Sequence, residues 1–372
     1  MMNLKYVSAA ALIVALISLS AFAAVGMSAM AKQGNDGATN QGKTDMAKQM
    51  AQEEQERMDK LRDRFALQHY IFLNNGPNFA DFLSVRTNNS LQAFVLKVHD
   101  EGVPTIYVAM ANVTREDGNK TAAWVTGVLK VFGVQEYIDT NGDGIYTPGN
   151  DTKLTWVGYA SLDWTLTTTS ITANGVSGWQ IVMTASSDGA TYVIRTQVFK
   201  TGVNLPDGTP LAPEEAKVDF IISNFPYNST SSRLALITTF GGMEGSAEVT
   251  HVDNQTEAII NRNAFAYFTW ASTAIVDGST VPVVSTSKGN GVIKTVELNY
   301  PHGTNITHDP VVGVGSGSTQ DIPSYQVPAP ANTIAPALPG IYFLAATALV
   351  IVGVGALALA AGKRMVEPKL QA

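Results

Sequence analysis

The chain has 372 residues, with 31 Asp and Glu against 24 Lys and Arg, only 15% charged residues, and no cysteine. Without a thiol, disulfides, thiolate catalysis, iron–sulfur clusters, thioether-linked haem and a lipid-bearing N-terminal Cys are excluded. A mildly acidic chain with no basic run is a poor nucleic-acid candidate, because neutralising phosphates takes clustered Lys and Arg, so no nucleic-acid partner is expected.

In chain order, the first signal is an apolar run from Val7 to about Val25, preceded by Lys5 and followed by small residues. Ala21-Phe22-Ala23 and Ala29-Met30-Ala31 both have the small-x-small form of a signal-peptidase site. Residues 1–31 are therefore expected to be an export signal, cleaved after Ala31 or kept as an anchor. Residues 32–43, polar and Gly-rich, read as a flexible leader. From Thr44 the chain is free of Gly and Pro, and Met46, Met50, Met58, Leu61 and Phe65 recur at helical steps. Thr44 or Asp45 caps this stretch, which predicts an amphipathic helix over 44–70. Glu54 breaks the stripe where a coiled-coil seam needs an apolar residue, so a helix lying on its own domain or a solvated stalk is expected.

From about Leu91 to Tyr300 the period becomes two. Leu162, Trp164 and Leu166 alternate with polar residues, as do Trp179, Ile181 and Met183, and again Val296, Leu298 and Tyr300. The dipeptides Asp117-Gly118, Asn174-Gly175, Asp188-Gly189, Asp207-Gly208 and Asp277-Gly278 tolerate the positive φ of hairpin turns. Segments 179–186 and 190–199 form the clearest hairpin. Roughly ten to thirteen strands with this spacing predict an all-β fold, an antiparallel β-sandwich or barrel-like ectodomain over 71–310. Residues 311–340 fill with Gly, Ser and Pro and read as a spacer. Residues 341–361 carry no charge, and at 1.5 Å per residue would make a transmembrane helix of about 31 Å. Lys363 and Arg364 follow and assign the short tail 362–372 to the cytoplasm. The expected protein is thus single-pass in the cell membrane, with lipid around 341–361 and the ectodomain outside.

The sharpest local motif is Asp139-Thr-Asn141-Gly-Asp143-Gly144-Ile145, continuing to Asn150-Asp151. Calcium takes six to eight oxygens, and side chains at loop positions 1, 3 and 5 converge while a glycine at 6 allows the sharp turn. The segment resembles the calcium loops of EF-hand and dockerin-type proteins. It implies a structural Ca2+ held by Asp139, Asn141, Asp143 and the Ile145 carbonyl. Position 12 is Asn150 where the EF-hand pattern has Glu, so Asp151 is the closing carboxylate. The flanks read as strands, which puts the loop on a β-hairpin. An Asx-rich turn without metal uses the same residue types.

Asn-x-Ser/Thr acceptors occur at Asn88, Asn112, Asn119, Asn228, Asn254 and Asn305, with a further one at Asn150 inside the acidic loop. All lie between the two apolar ends. Leu338-Pro339-Gly340, the apolar span and the basic pair are similar to the tails of archaeal sorting substrates, with Ile341 where those have Phe. The layout of signal, acceptors, acidic loop, spacer and span resembles archaeal surface-layer and envelope glycoproteins. It implies a structural or adhesive surface role, with self-assembly or other envelope proteins as partners.

Catalytic motifs are wanting: no His-Glu-x-x-His, no Gly-x-Ser-x-Gly, and a Gly313–Gly317 run without the Lys of a phosphate loop. The expectation is therefore no enzyme and no catalytic residue. The rival is a membrane-tethered carbohydrate-binding module or glycoside hydrolase. For it, Glu136, Asp163 and Asp219 are the strand carboxylates, and Trp124, Trp156, Trp164 and Trp179 the sugar-stacking aromatics. His302, His308 and Asp309 cluster in sequence, though Pro301 and Pro310 bracket them as a loop.

Overall fold

The computed structural model describes residues 69–88, 90–116, 119–242, 249–261, 263–289, 291–317 and 321–322. The expected export signal, leader, transmembrane helix and tail lie outside them, as does the amphipathic helix up to residue 68. His69 and Tyr70, its last two expected residues, already belong to a strand. Among the described residues no helix is long and apolar enough to cross a membrane.

All sheet pairing is antiparallel, as the alternation predicts. The strands are β1 (His69–Asn75), β2 (Phe79–Asn88), β3 (Ser90–Asp100), β4 (Pro104–Glu116), β5 (Asn119–Ile138) and β6 (Thr152–Gly158). A short 3-10 turn, Tyr159–Ser161, leads to β7 (Thr165–Ala173), β8 (Val176–Ser187), β9 (Ala190–Phe199), β10 (Val203–Asn204), β11 (Pro210–Leu211) and β12 (Glu215–Ser223). Then come β13 (Arg233–Gly242), β14 (Val249–Asp253), β15 (Thr256–Asn261), β16 (Ala264–Thr269), β17 (Thr273–Val276) and β18 (Ser279–Pro282). The last four are β19 (Val284–Lys288), β20 (Ile293–Tyr300), β21 (Asn305–His308) and β22 (Val311–Ser316). They outnumber the expectation because elements as short as β10, β11, β17, β18 and β21 leave no periodic trace.

A nine-stranded sheet runs β1-β2-β3-β4-β5-β13-β20-β19, with β6 also on β5. In an eleven-stranded sheet, β12 bonds β9 along one edge and β21 and β22 along the other. β7 and β8 extend it beyond β9, while β16, β15 and β14 follow β22. The two sheets share one core, as in a sandwich. Phe82, Leu96, Ile106, Val125, Leu236 and Leu298 from the first meet Met183, Ile194, Val218, Phe268 and Val312 from the second. Burying each such side chain contributes about 1.5–3 kcal/mol, and a chain without disulfides leans on this burial.

Asp117-Gly118 lies outside the described residues; the other four dipeptides all sit at turns. Asn174 and Gly175 (φ 46° and 80°), Asp188 and Gly189 (51° and 85°), and Asp277 and Gly278 (49° and 80°) put both central residues in the left-handed region. These tight turns set the register, with Ser187 facing Ala190 across the expected β8–β9 hairpin. At Asp207-Gly208 only the glycine, at φ 88°, is left-handed.

β5 is 20 residues long and serves two neighbours on one edge. It pairs with β4 as far as Lys130 and with β6 from Gly133, while β13 runs along its other edge. The hand-over is a bulge: Ile237 faces Gly133 and Thr238 faces Val131, leaving Phe132 over. Gly133 has φ 148°, and a Cβ there would collide with the Val157 carbonyl.

β22 corrects the spacer boundary. Composition assigned 311–340 to a spacer, yet Val311–Ser316 lies between β12 and β16 with four buried residues. Its alternation is hidden by Gly313 and Gly315, over which the rings of Tyr267 and Phe265 lie so closely that neither position has room for a Cβ. On that outer face a second apolar cluster forms, where Val203, Leu205 and Leu211 cover Phe199, Phe265, Tyr267 and Val311.

The bulge makes a direct expectation. Gly133→Ala should destabilise the fold by about 1–3 kcal/mol or more, from the strained φ and the collision with β6. Denaturant unfolding followed by tryptophan fluorescence reads this, and an unchanged midpoint would mean the bulge relaxes freely.

Candidate functional site

The acidic loop joins β5 to β6, on a hairpin as expected, with Ile138 facing Thr152 at its base. Its side chains fold it from within. Asp139 accepts from the Gly142 and Gly144 amides, each at 2.8 Å, and Asp143 Oδ1 from the Ile145 amide at 2.8 Å. Asn141 Oδ1 accepts from the Asp143 amide at 3.2 Å, and its Nδ2 donates to Asp143 Oδ2 at 2.8 Å. Asp151, not Asn150, reaches back to the loop's start, accepting from the amides of Thr140 (3.0 Å) and Thr147 (2.7 Å). Gly142 and Gly144, at φ 75° and 78°, allow the coil.

The loop is fastened to the sandwich through Asn299 of β20, which is fully buried. Asn299 Oδ1 accepts from the Tyr146 amide at 2.9 Å and from the Tyr137 hydroxyl at 3.1 Å, while Nδ2 donates to the Val284 carbonyl at 3.0 Å. The Gly144 carbonyl, 3.0 Å from the Tyr137 oxygen, shares that single hydroxyl proton with Asn299, and burial pushes the phenol well above the ordinary range. The donor set is all oxygen, the kind calcium takes, and each carboxylate oxygen keeps a lone pair beyond its backbone bond. Among the described residues no three His, Cys, Asp or Glu side chains form a cation-holding group.

Of the three carboxylates expected on strands, Glu136 and Asp219 lie in different sheets and Asp163 lies outside both. Glu136 is fully buried and accepts from the Asn228 amide (2.7 Å), Asn228 Nδ2 (2.7 Å) and Ser232 Oγ (2.7 Å). Burial works to raise its carboxyl, but these bonds outweigh it and hold the group below its ordinary value. Asp163 is exposed, just before β7. Asp219 is fully buried on the outer face of β12, with Arg195 Nε 2.5 Å away.

Asp219 belongs to a cluster that single-sequence reasoning missed. Lys217, also on the outer face of β12, has its ammonium 2.6 Å from Asp207, 3.0 Å from Asp219 and 3.2 Å from Asp309. Burial alone would lower this amine, yet the surrounding Asp219, Asp309 and Asp207 hold it above its ordinary value. Asp309 is pushed up to about 6 by burial, with Asp219 adding to the rise. The one legible signal is Lys217-Val-Asp219, two charges at period two inside an apolar strand.

His302, His308 and Asp309 do not form one site. His302 is exposed and stacks on Tyr227 at 3.9 Å, and Asp309 turns to Lys217. His308 is buried, with Nε2 donating to the Ala271 carbonyl at 2.8 Å and Nδ1 taking the Tyr300 hydroxyl at 2.9 Å.

Trp164 is in the core, and Trp179 packs on Phe82 with Lys200 over its ring. Trp124 and Trp156 are exposed. They face Ala111 and Gln135, and Trp124 and Gln135 lie eleven residues apart along β5, about 35 Å. They do not make one platform.

Of the glycan acceptors, Asn254 and Asn305 are exposed at a turn and a strand start. Asn112 is half-buried, on the side of β4 that carries Ile106, Val108 and Met110. Asn228 spends its amide nitrogen on Glu136 and on Thr155 at 2.5 Å. Asn88 ends β2 and Asn119 begins β5. Compared with known proteins, the chain matches no family model and no curated protein.

His308 generates a pH prediction. Burial lowers its imidazole from 6.5 to about 4, so the fold favours the neutral ring. The stability this contributes is fully present above 6.5 and is lost as pH falls through about 4. Asp309, raised from 3.8 to about 6, acts oppositely: its contribution is lost as pH rises through about 6. His308→Gln keeps one donor and one acceptor but removes the titration. Its melting temperature should drop less than the parent's between pH 6.5 and 4. Equal slopes would contradict the assignment.

Proposed function

We propose that this is an exported, single-pass cell-surface protein with a structural or adhesive role, its calcium-stabilised β-sandwich held outside the membrane. The N-terminal signal, the Pro-rich spacer and the apolar segment 341–361 support the topology. Glycans are proposed at the acceptors between the two apolar ends, Asn254 and Asn305 being exposed. Self-assembly or other envelope proteins are the proposed partners. A structural reading is favoured over a glycosidase chiefly because Glu136 and Asp219 are each locked by their own partners in different sheets. A hydrolase needs two carboxyls facing across a sugar, no more than about 9.5 Å apart.

Protease applied to intact cells should remove residues 32–340 and leave the tail from Lys363 protected. Full-length protein in the soluble cytosolic fraction would refute the topology.

The acidic loop is the proposed calcium site, with Asp139, Asn141, Asp143, the Ile145 carbonyl and Asp151 as ligands. Bound Ca2+ supplies no chemistry beyond cross-linking this loop. The support is Asp151, which closes the loop onto Thr140 where the EF-hand pattern has its final Glu one residue earlier. A ligand that binds only the folded state adds about 2.7 kcal/mol at a hundredfold excess over Kd. Chelator should therefore lower the melting temperature, and Asp143→Ala should remove most of that difference. Identical curves with calcium and chelator, with no metal by elemental analysis, would reduce the segment to an Asx-stabilised turn.

A further inference from the structure

A cleft of about 840 Å³ opens where the β14–β15 turn of one sheet meets β19 and β20 of the other. That volume lies in the range of small-ligand sites. Trp270, just past β16, forms part of its wall. The residue is 1% exposed, and its indole Nε1, a donor with no acceptor capacity, has no hydrogen-bond partner. Ser287 Oγ in the same wall is likewise buried and unpartnered. Leaving such a group unpaired costs about 1–3 kcal/mol; both atoms are closed to solvent as they stand, so an acceptor-bearing occupant recovers that cost by a small shift of the wall side chains.

The charge of the wall narrows the occupant. Among the described residues no carboxylate lines the cleft. His251 is turned onto the buried Glu257 behind it, 2.7 Å away. Lys294 makes no ion pair with any described residue. The other wall groups are mostly neutral hydrogen-bonding side chains, Asn254, Gln255 and Ser272 among them, with only Val283 and Val284 apolar. One cation, an indole donor and several amides and hydroxyls suit a ligand that is hydroxyl-rich and anionic. They suit an apolar ligand poorly, since its burial would strand these groups without partners.

We propose that this cleft binds an acidic saccharide, a uronic-acid-bearing oligomer, with its carboxylate on Lys294 and its ring oxygens and hydroxyls on Trp270 Nε1, Ser287 and the neighbouring amides. The proposal rests on the adhesive reading above only for the source of the sugar; the site itself is independent of topology and of calcium.

Isothermal titration of the full-length detergent-solubilised protein tests it, using protein from a host without Asn-linked glycosylation so that Asn254 at the rim stays bare. Tetragalacturonate is the probe, with maltotetraose as the neutral sugar and tetraglutamate as the equally charged peptide. Tetragalacturonate should bind with Kd of about 0.1 mM, and both controls about tenfold or more weaker. Lys294→Gln should weaken it about tenfold, the loss of one charge-assisted hydrogen bond, without moving the melting temperature. Trp270→Phe, which keeps a ring but removes the N–H, should weaken it about fivefold. No binding of tetragalacturonate at millimolar concentration overturns the proposal, as does equal binding of tetraglutamate or maltotetraose. Undiminished binding by both variants also overturns it. Each of these results leaves the protease test of topology unaffected, so the two readings fail separately.

Discussion

The larger sheet hangs on β12, and β12 depends on the ammonium of Lys217. The strand divides its residues by parity. Ala216, Val218, Phe220 and Ile222 enter the shared core, while Lys217 and Asp219 point to the opposite face. A charge buried in that way is tolerable only if paired. The pairing draws three separate segments together: Asp207 from the β10–β11 turn, Asp219 from β12 itself, and Asp309 from the junction of β21 and β22. Arg195 of β9 completes it through Asp219. The same side chains therefore link β12 to the strands on both its edges and bring the β10–β11 hairpin down over the second apolar cluster. An apolar residue at Lys217 would leave three carboxylates facing one another, so the four positions behave as one unit.

Polar groups elsewhere work the same way, as fasteners between strands. Glu136 binds the 228–232 turn, Asn299 binds the acidic loop, and His308 with Tyr300 ties β20 to β21 and to Ala271. Each is buried and satisfied by at least two partners, which makes it specific rather than merely tolerated. In a chain with no disulfide, these local clamps supplement the core in resisting shear between long antiparallel strands.

The acidic loop and the cleft share β19 as a wall: Val284 lines the cleft, receives the Asn299 bond, and lies beneath Gly144. The two differ in sign. The loop gathers carboxylate and amide oxygens, whereas the described lining of the cleft carries Lys294 and several hydrogen-bond donors. Their polar groups also differ in state. Those of the loop are occupied by its own backbone, whereas in the cleft an indole N–H and a serine hydroxyl remain unpartnered.

Class and local geometry were legible in the residues alone. The period-2 runs, the Asx-Gly dipeptides and the β8–β9 hairpin depend on neighbours in the chain, and a strand's faces and a turn's φ are set within a few residues. So is the acidic loop, whose Asp, Asn and Gly positions fold it by bonds spanning two to eleven residues. The strand Val311–Ser316 was not legible, because its glycines make room for the rings of Tyr267 and Phe265 more than forty residues away and so erase its own pattern. Nor was the hand-over at Gly133, which reflects two partners sharing one edge. The Lys217 cluster and the Trp270 cleft were decided by tertiary structure for the same reason: their members are charges and donors scattered through the chain. Nothing in a residue's own neighbourhood says which distant carboxylate will answer a buried lysine, or which indole will be left without an acceptor. Pairing between strands, and the packing of one sheet on the other, makes that choice.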